Sequence, residues 1–222
     1  TLYTYDPAFF YEIAVIIKQG LKEMYVDNKD VFYYLTIGNE NYKHPPMPIG
    51  CEEGILKGLY KFKENQTKTK LKAHIFGSGS IINQALEAQK LLSEQFNVSA
   101  DVWSATNYKQ LRTDALRCER LNMLNPTKKA KVSYLEKVLK DEDGVFVAVS
   151  DNMKIVSDQI SKWVPGGLFS LGTDGFGRSE TREKLRRFFE IDVECIVIAV
   201  LYQLSLKGDL SFNDVEKAIK KL

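Results

Sequence analysis

The sequence predicts an α/β protein whose mostly parallel sheet is covered by helices on both faces. Three observations carry this reading. From Leu71 onward, short strand-like runs alternate with helix-length amphipathic stretches, the order expected of strands joined by crossover helices. The run Val145–Val149 (VFVAV) is wholly apolar, which suits a strand buried on both faces. And the 222 residues are 44% apolar and 27% charged, ordinary values for a chain that buries a core and poor ones for disorder, collagen or a coiled coil.

Taken in order, Asp6 is a suitable N-cap and Pro7 suits the first helical position. Phe9, Phe10, Ile13, Ile16, Ile17, Leu21 and Met24 then recur at helical spacing, predicting a helix to about Tyr25. Val31–Ile37 (VFYYLTI) reads as a buried strand, ending at Gly38 before the polar Asn39-Glu40-Asn41-Tyr42. Residues 43–50 carry three of the six prolines and exclude regular structure. Cys51–Phe62 reads as a short helix and Lys63–Lys70 as a polar surface stretch, so a domain boundary is expected within 43–70. Beyond it the pattern predicts strands at Ala73–Phe76, Val98–Ala105, Val145–Val149 and Leu168–Leu171. Helices are expected from Ile81 to Phe96, across Tyr108–Arg120 and Asn152–Trp163, and through Arg182–Phe189, Val193–Leu206 and Asn213–Leu222.

Charge and cysteine usage narrow the function classes. With 31 basic and 29 acidic residues, a formal +2, the chain has no field to gather nucleic acid or an anionic membrane. The most apolar segment, Val193–Leu206, is too short and too polar to span a bilayer, which takes about 20 apolar residues. The first residues hold no basic stretch followed by an apolar one, so no secretory signal is expected. Cys51, Cys118 and Cys195 are odd in number and widely spaced, as for reduced thiols of a cytoplasmic protein. The chain starts at Thr1 rather than at methionine, which suits a piece of something longer.

Two glycine-rich turns stand between a predicted strand and a helix. Gly77-Ser78-Gly79-Ser80 lacks the third glycine of a dinucleotide fingerprint, Ile82 standing there. It reads first as a tight turn and second as a small-anion site at a helix N-terminus. Gly172–Ser179 (GTDGFGRS) lacks the Gly-Lys-Ser/Thr ending of a P-loop. Asp174 and Arg178 could form a buried ion pair shaping this loop. The two histidines, His44 and His74, have no partner at ligand spacing, and His74 reads as a satisfied core residue. Asn39, Glu40 and Tyr42 are the best polar cluster, because they follow the carboxyl end of a strand, where α/β proteins place ligands. The basic runs Lys128, Lys129, Lys131 and Lys217, Lys220, Lys221 read as solvated faces.

Longer stretches go further. YDPAFFYEIAVIIKQGLKEMY, FYYLTIGNENYKHPPMPIGCEEGILKGLY, CERLNMLNP (Cys118–Pro126) and LGTDGFGRSETREKLRRFFEID (Leu171–Asp192) resemble the thiamine-dependent pyruvate dehydrogenase decarboxylase components of the homodimeric bacterial type, across essentially the whole chain. The resemblance implies that residues 1–42 end a middle, pyrimidine-binding domain with its last helix and strand. Residues 43–70 would be a linker with a short helix. Residues 71–222 would be a transketolase-like C-terminal domain, a three-layer αβα sandwich with a mainly parallel sheet. It also implies an enzyme that decarboxylates pyruvate on thiamine diphosphate with magnesium, as a homodimer, and hands the two-carbon unit to the lipoyl group of the dihydrolipoyl acetyltransferase core. The family's diphosphate and magnesium motif, activating glutamate and histidine-rich loop have no counterpart here, so no catalytic, cofactor-binding or metal residue is carried over. This part would be inactive alone and would serve dimer assembly and the active-site border, with Asn39, Glu40 and Tyr42 nearest the site. The alternatives are a free-standing small-anion-binding α/β module and the C-terminal domain of another thiamine enzyme such as a transketolase.

Overall fold

The computed structural model describes residues 1–222. Period-2 alternation sorts the central side chains into two cores. Ala73 and Ile75 of β4 (Lys72–Gly77), Ala100 and Val102 of β5 (Ser99–Ser104), and Val145, Val147 and Val149 of β6 (Val145–Val149) point to one face. There they meet α3 (Ile82–Phe96), α8 (Val193–Lys207) and α9 (Phe212–Lys221). The intervening Phe76, Trp103, Phe146 and Ala148 pack on the other face with Tyr108 and Leu111 of α4 (Tyr108–Leu124) and Leu135 and Leu139 of α5 (Tyr134–Leu139). The result is the three-layer sandwich expected.

The sheet order is β3-β5-β4-β6-β7, where β3 is Tyr60–Lys63 and β7 is Phe169–Leu171. Every pairing is parallel except β3 with β5. The chain leaves β4 for β5 on one side and returns to β6 on the other. The crevice between the carboxyl ends of β4 and β6 is therefore a topological switch point.

A second, two-stranded parallel sheet pairs β1 (Leu2–Tyr5) with β2 (Phe32–Leu35). On one face α1 (Phe10–Leu21) and α2 (Glu52–Lys57) close a small core of Tyr5, Ile16, Cys51, Ile55 and Tyr60.

Several boundaries differ from the sequence reading. Asp6 does not cap α1. The helix starts at Phe10, and Glu12 accepts from the N–H groups of Ala8 and Phe9. After Leu21 the helix widens into a π turn, Lys22–Val26. The Val31–Ile37 strand is four residues long, half-buried on one face and open on the other. Phe32 and Tyr34 stay exposed because β2 has one strand neighbour and one covering layer. The helix expected over Cys51–Phe62 stops at Gly58, whose φ of +110° admits glycine; a Cβ there would stand 2.4 Å from the Asn107 carbonyl oxygen. Tyr60–Lys63 then joins the main sheet. The helix expected over Asn152–Trp163 is α6 (Lys154–Asp158) followed by a single 3₁₀ turn, Ser161–Trp163. α5 was not expected, although Ser133 and Glu136 form the reciprocal capping box that opens it.

Candidate functional site

The Asn39–Tyr42 segment and both glycine-rich turns converge at the carboxyl edge of the sheet. A cavity of about 240 Å³ lies between them, bounded by Asn39, Glu40, Ser80, Asp151, Thr173 and Arg186. The crevice itself is filled from the small sheet by Asp6. Its N–H donates to the Thr106 carbonyl (2.8 Å) and its carbonyl accepts from Gly79 N–H (3.2 Å). Its carboxylate accepts from the Thr36 hydroxyl and from the Asn152 amide (3.2 Å). Burial lifts this carboxyl above the ordinary aspartate range, the Thr36 bond opposing and nearby Asp151 adding to it. Gly79, at φ +51°, leaves no room for a Cβ, which would meet the carboxylate at 2.9 Å.

That arrangement argues against the small-anion reading of Gly77–Ser80. The Ser78 N–H is used by the Val149 carbonyl and the Gly79 N–H by Asp6. Asp151, 3.5 Å from the Ser80 hydroxyl, adds a second carboxylate. A diphosphate would face two negative groups in place of open donors, so these residues do not fit the phosphate end of thiamine diphosphate.

Asn39, Glu40 and Tyr42 are each held. α7 (Arg182–Phe188) presents Arg182 and Arg186 one turn apart. Arg182 donates to the Asn39 side-chain oxygen (2.6 Å), and Arg186 forks onto both Glu40 oxygens. Both partners of the Arg186–Glu40 pair are mostly buried, with side chains 13% and 24% exposed. Tyr42 donates to the Ala8 carbonyl and packs edge-on against Phe9. Burial, with Glu12 and Glu40 nearby, pushes its phenol up, so it stays a donor at neutral pH.

The Gly172–Ser179 loop departs from expectation. Asp174 and Arg178 are exposed and unpaired with each other. The Asp174 carboxylate accepts from Lys154 N–H (3.1 Å), and the Arg178 guanidinium lies 5.2 Å from the Phe188 ring centre. The loop is shaped by backbone and α6 contacts instead, among them Thr173 N–H to the Asn152 carbonyl (3.0 Å).

One buried polar centre escaped the sequence reading. Glu12 is fully buried, its carboxylate accepting from Tyr60 (2.7 Å), Ser104 (2.6 Å) and two backbone N–H groups. Tyr11 and Tyr60 share a 2.6 Å hydroxyl contact. Burial lifts the Glu12 carboxyl despite these four donors. The signal was present, since Glu12 falls in phase with Phe9 and Ile16 on the apolar stripe of α1.

At the opposite edge of the sheet, His74, Asp101 and Glu142 bring one ligand atom each within 4.8 Å of one another. A metal ion fits poorly there. Lys61 already bridges Asp101 (3.0 Å) and Glu142 (2.8 Å). The Trp103 indole N–H lies 3.2 Å from His74 Nδ1, and His74 Nε2 lies 3.1 Å from the Asp143 carbonyl. Those partners assign His74 as the neutral Nε2–H form, and burial holds its pKa below the ordinary range. Lys128, Lys129 and Lys131, like Lys217, Lys220 and Lys221, lie exposed. No helix is long and apolar enough to cross a membrane.

The comparisons with known proteins agree with this architecture. The family model described as pyruvate dehydrogenase E1 component middle domain matches residues 1–45. The pyruvate dehydrogenase E1 component of Pseudomonas aeruginosa is 46% identical over 98% of this chain and 25% of that protein. The E1 component of Escherichia coli is 43% identical over 98% of this chain and 24% of its own length. The chain thus spans about a quarter of the length of these relatives. A transketolase from Pichia stipitis superposes with a TM-score of 0.64 at 18% identity, over 94% of this chain and 26% of that one, a likeness of fold. The model for the transketolase-like C-terminal domain matches residues 58–192, the greater part of the chain and of its main sheet, and the chain belongs to that family.

Proposed function

We propose that the chain is the C-terminal part of a pyruvate dehydrogenase E1 component of the homodimeric bacterial type. The observation that carries this is the succession of matches. A pyruvate dehydrogenase middle-domain segment, residues 1–45, runs into a transketolase-like domain, residues 58–192, within a chain similar to E1 components over almost its whole length. Residues 1–42 then end the middle domain, residues 43–70 link, and residues 71–222 are the C-terminal domain, with β3 reaching back from the linker into its sheet.

The whole enzyme would decarboxylate pyruvate and transfer the two-carbon unit to the lipoyl group of the acetyltransferase core, in the cytoplasm. Thiamine diphosphate, with magnesium, would supply the electron sink for that decarboxylation. The crevice of this domain is plugged by Asp6, so the cofactor would be held by other parts of the protein. The contribution of these 222 residues is assembly and the border of the active site, where Asn39, Glu40 and Tyr42 would lie nearest.

The test is turnover by the full-length parent with thiamine diphosphate and magnesium. Pyruvate-dependent reduction of an artificial electron acceptor supports the reading, and turnover of a sugar phosphate in its place would make the parent a transketolase. Calorimetric titration of the 222-residue chain with the cofactor should give no heat of binding; tight binding would overturn the division of labour.

A further inference from the structure

Arg182 and Arg186 come from the transketolase-like region, and the segment they grip lies in the part matched by the middle-domain model. The two arginines are four residues apart, so they project from one face of α7. Both reach consecutive residues, Asn39 and Glu40, just past the end of β2. The fork of Arg186 onto both carboxylate oxygens fixes distance and plane together, which a lysine cannot do. Arg187, the next residue, turns elsewhere and pairs with Asp192 (3.1 Å).

We infer that Arg182 and Arg186 are positioning residues, setting the height and direction of the Asn39–Tyr42 segment against the carboxyl edge and so the shape of the active-site border. This rests on the proposed placement of that segment near the active site. Neither arginine is assigned contact with substrate; each acts through the segment it holds. The alternative is that the pair merely stabilises α7. Arg187 separates the two readings, because it carries the same charge on the same helix without touching the segment.

The experiment uses the full-length parent with Arg186→Met, Arg186→Lys, Arg182→Met and Arg187→Met. It reads the rate of tryptic cleavage after the exposed Lys43, which borders the segment, and kcat/KM for pyruvate. Arg186→Met should speed that cleavage by about tenfold or more, since a protease cuts the loosened chain. It should lower kcat/KM by roughly 10- to 100-fold, the scale of a misplacement near 1 Å. Arg186→Lys should recover part of both, and Arg187→Met should change neither. If Arg186→Met fails to fold, Arg182→Met and Arg186→Lys carry the same comparison with smaller shifts.

Unchanged cleavage in the Arg186 and Arg182 variants overturns the inference, and so does an equal effect from Arg187→Met. Faster cleavage with unaltered kcat/KM also overturns it, since the segment would then be held without bordering the site. A wild-type parent that is cleaved slowly as expected but turns over no pyruvate sinks the proposed function, and the active-site part of the inference with it. The cleavage comparison would still decide whether the arginines hold the segment.

Discussion

At the scale of single residues, Glu12 joins the small sheet's helix to the main sheet. Its carboxylate meets two backbone N–H groups at the start of α1, Tyr60 on β3 and Ser104 on β5. Glu12→Ala would strand four buried donors and should cost about 3 kcal/mol or more in denaturant unfolding. Glu12→Gln keeps the shape but turns an amide N–H₂ toward donors, so a loss of about 1–2 kcal/mol is expected at neutral pH. The gap should widen on acidification. Burial raises the folded pKa of Glu12, so the native state takes up a proton before the unfolded chain does. Wild type therefore gains stability relative to Glu12→Gln as pH falls through that folded pKa, a gain complete below the unfolded value of about 4.3. A gap that stays constant or shrinks would mean that the four donors outweigh burial. The sequence placed Glu12 on the apolar stripe, but only the fold supplies Tyr60 and Ser104 from 48 and 92 residues away.

Among elements, legibility tracked how much of the evidence was local. β4, β5 and β6 were readable because each is an apolar run bounded by turn residues and flanked by helices. β3 was not, because its four residues, YKFK, look like the end of the preceding helix until Gly58 turns the chain. What holds β3 is long-range. It pairs only with β5, through a register irregularity between Lys61 and Lys63, and Lys61 drops its ammonium between Asp101 and Glu142. Removing that charge leaves two facing carboxylates, all three side chains being about four-fifths buried. Lys61→Met should therefore cost about 2–3 kcal/mol, near the lower end for breaking a buried pair. It has a second readout, because Lys61 helps hold the His74 pKa down while the two carboxylates push it up. In the variant the imidazole should titrate at higher pH, followed by its ring proton shifts. An unmoved His74 with full stability would show that Lys61 is a surface charge that happens to lie between acids. The same dependence on distant partners hid the candidate site's real pairing: Asp174–Arg178 was plausible from proximity, whereas Glu40–Arg186 spans 146 residues.

For the whole molecule, the question is whether the small sheet behaves as a passenger or as part of one folding unit. Its ties to the larger body run through buried or half-buried groups. Ala8 and Phe9 belong to the main core cluster, Asp6 plugs the switch-point crevice, Glu12 reaches β5 and Glu40 reaches α7. Its other side is weakly supported, with β2 paired to a single strand and Phe32, Tyr34 and Ile37 open to solvent. Local stability follows buried contact density, so hydrogen exchange of the 222-residue chain should divide along the ties rather than along the sequence boundary at 43–70. The amides of α1 should be protected to the same degree as those of β4 and β6, opening only with global unfolding. Those of β2 should exchange faster by a factor of about 10 or more, since β2 peels from β1 by giving up only the half-buried contacts of Tyr33 and Leu35 with the small core. If α1 and β2 instead exchanged together and well before β4, the four anchors would be too weak to couple the two parts. The small sheet would then be an appendage ordered by other parts of the protein. Protection of α1 with the core would mean that Ala8 and Phe9, on which Tyr42 rests, are rigidly registered on the larger body. Arg182 and Arg186 could set the loop only from such a fixed base.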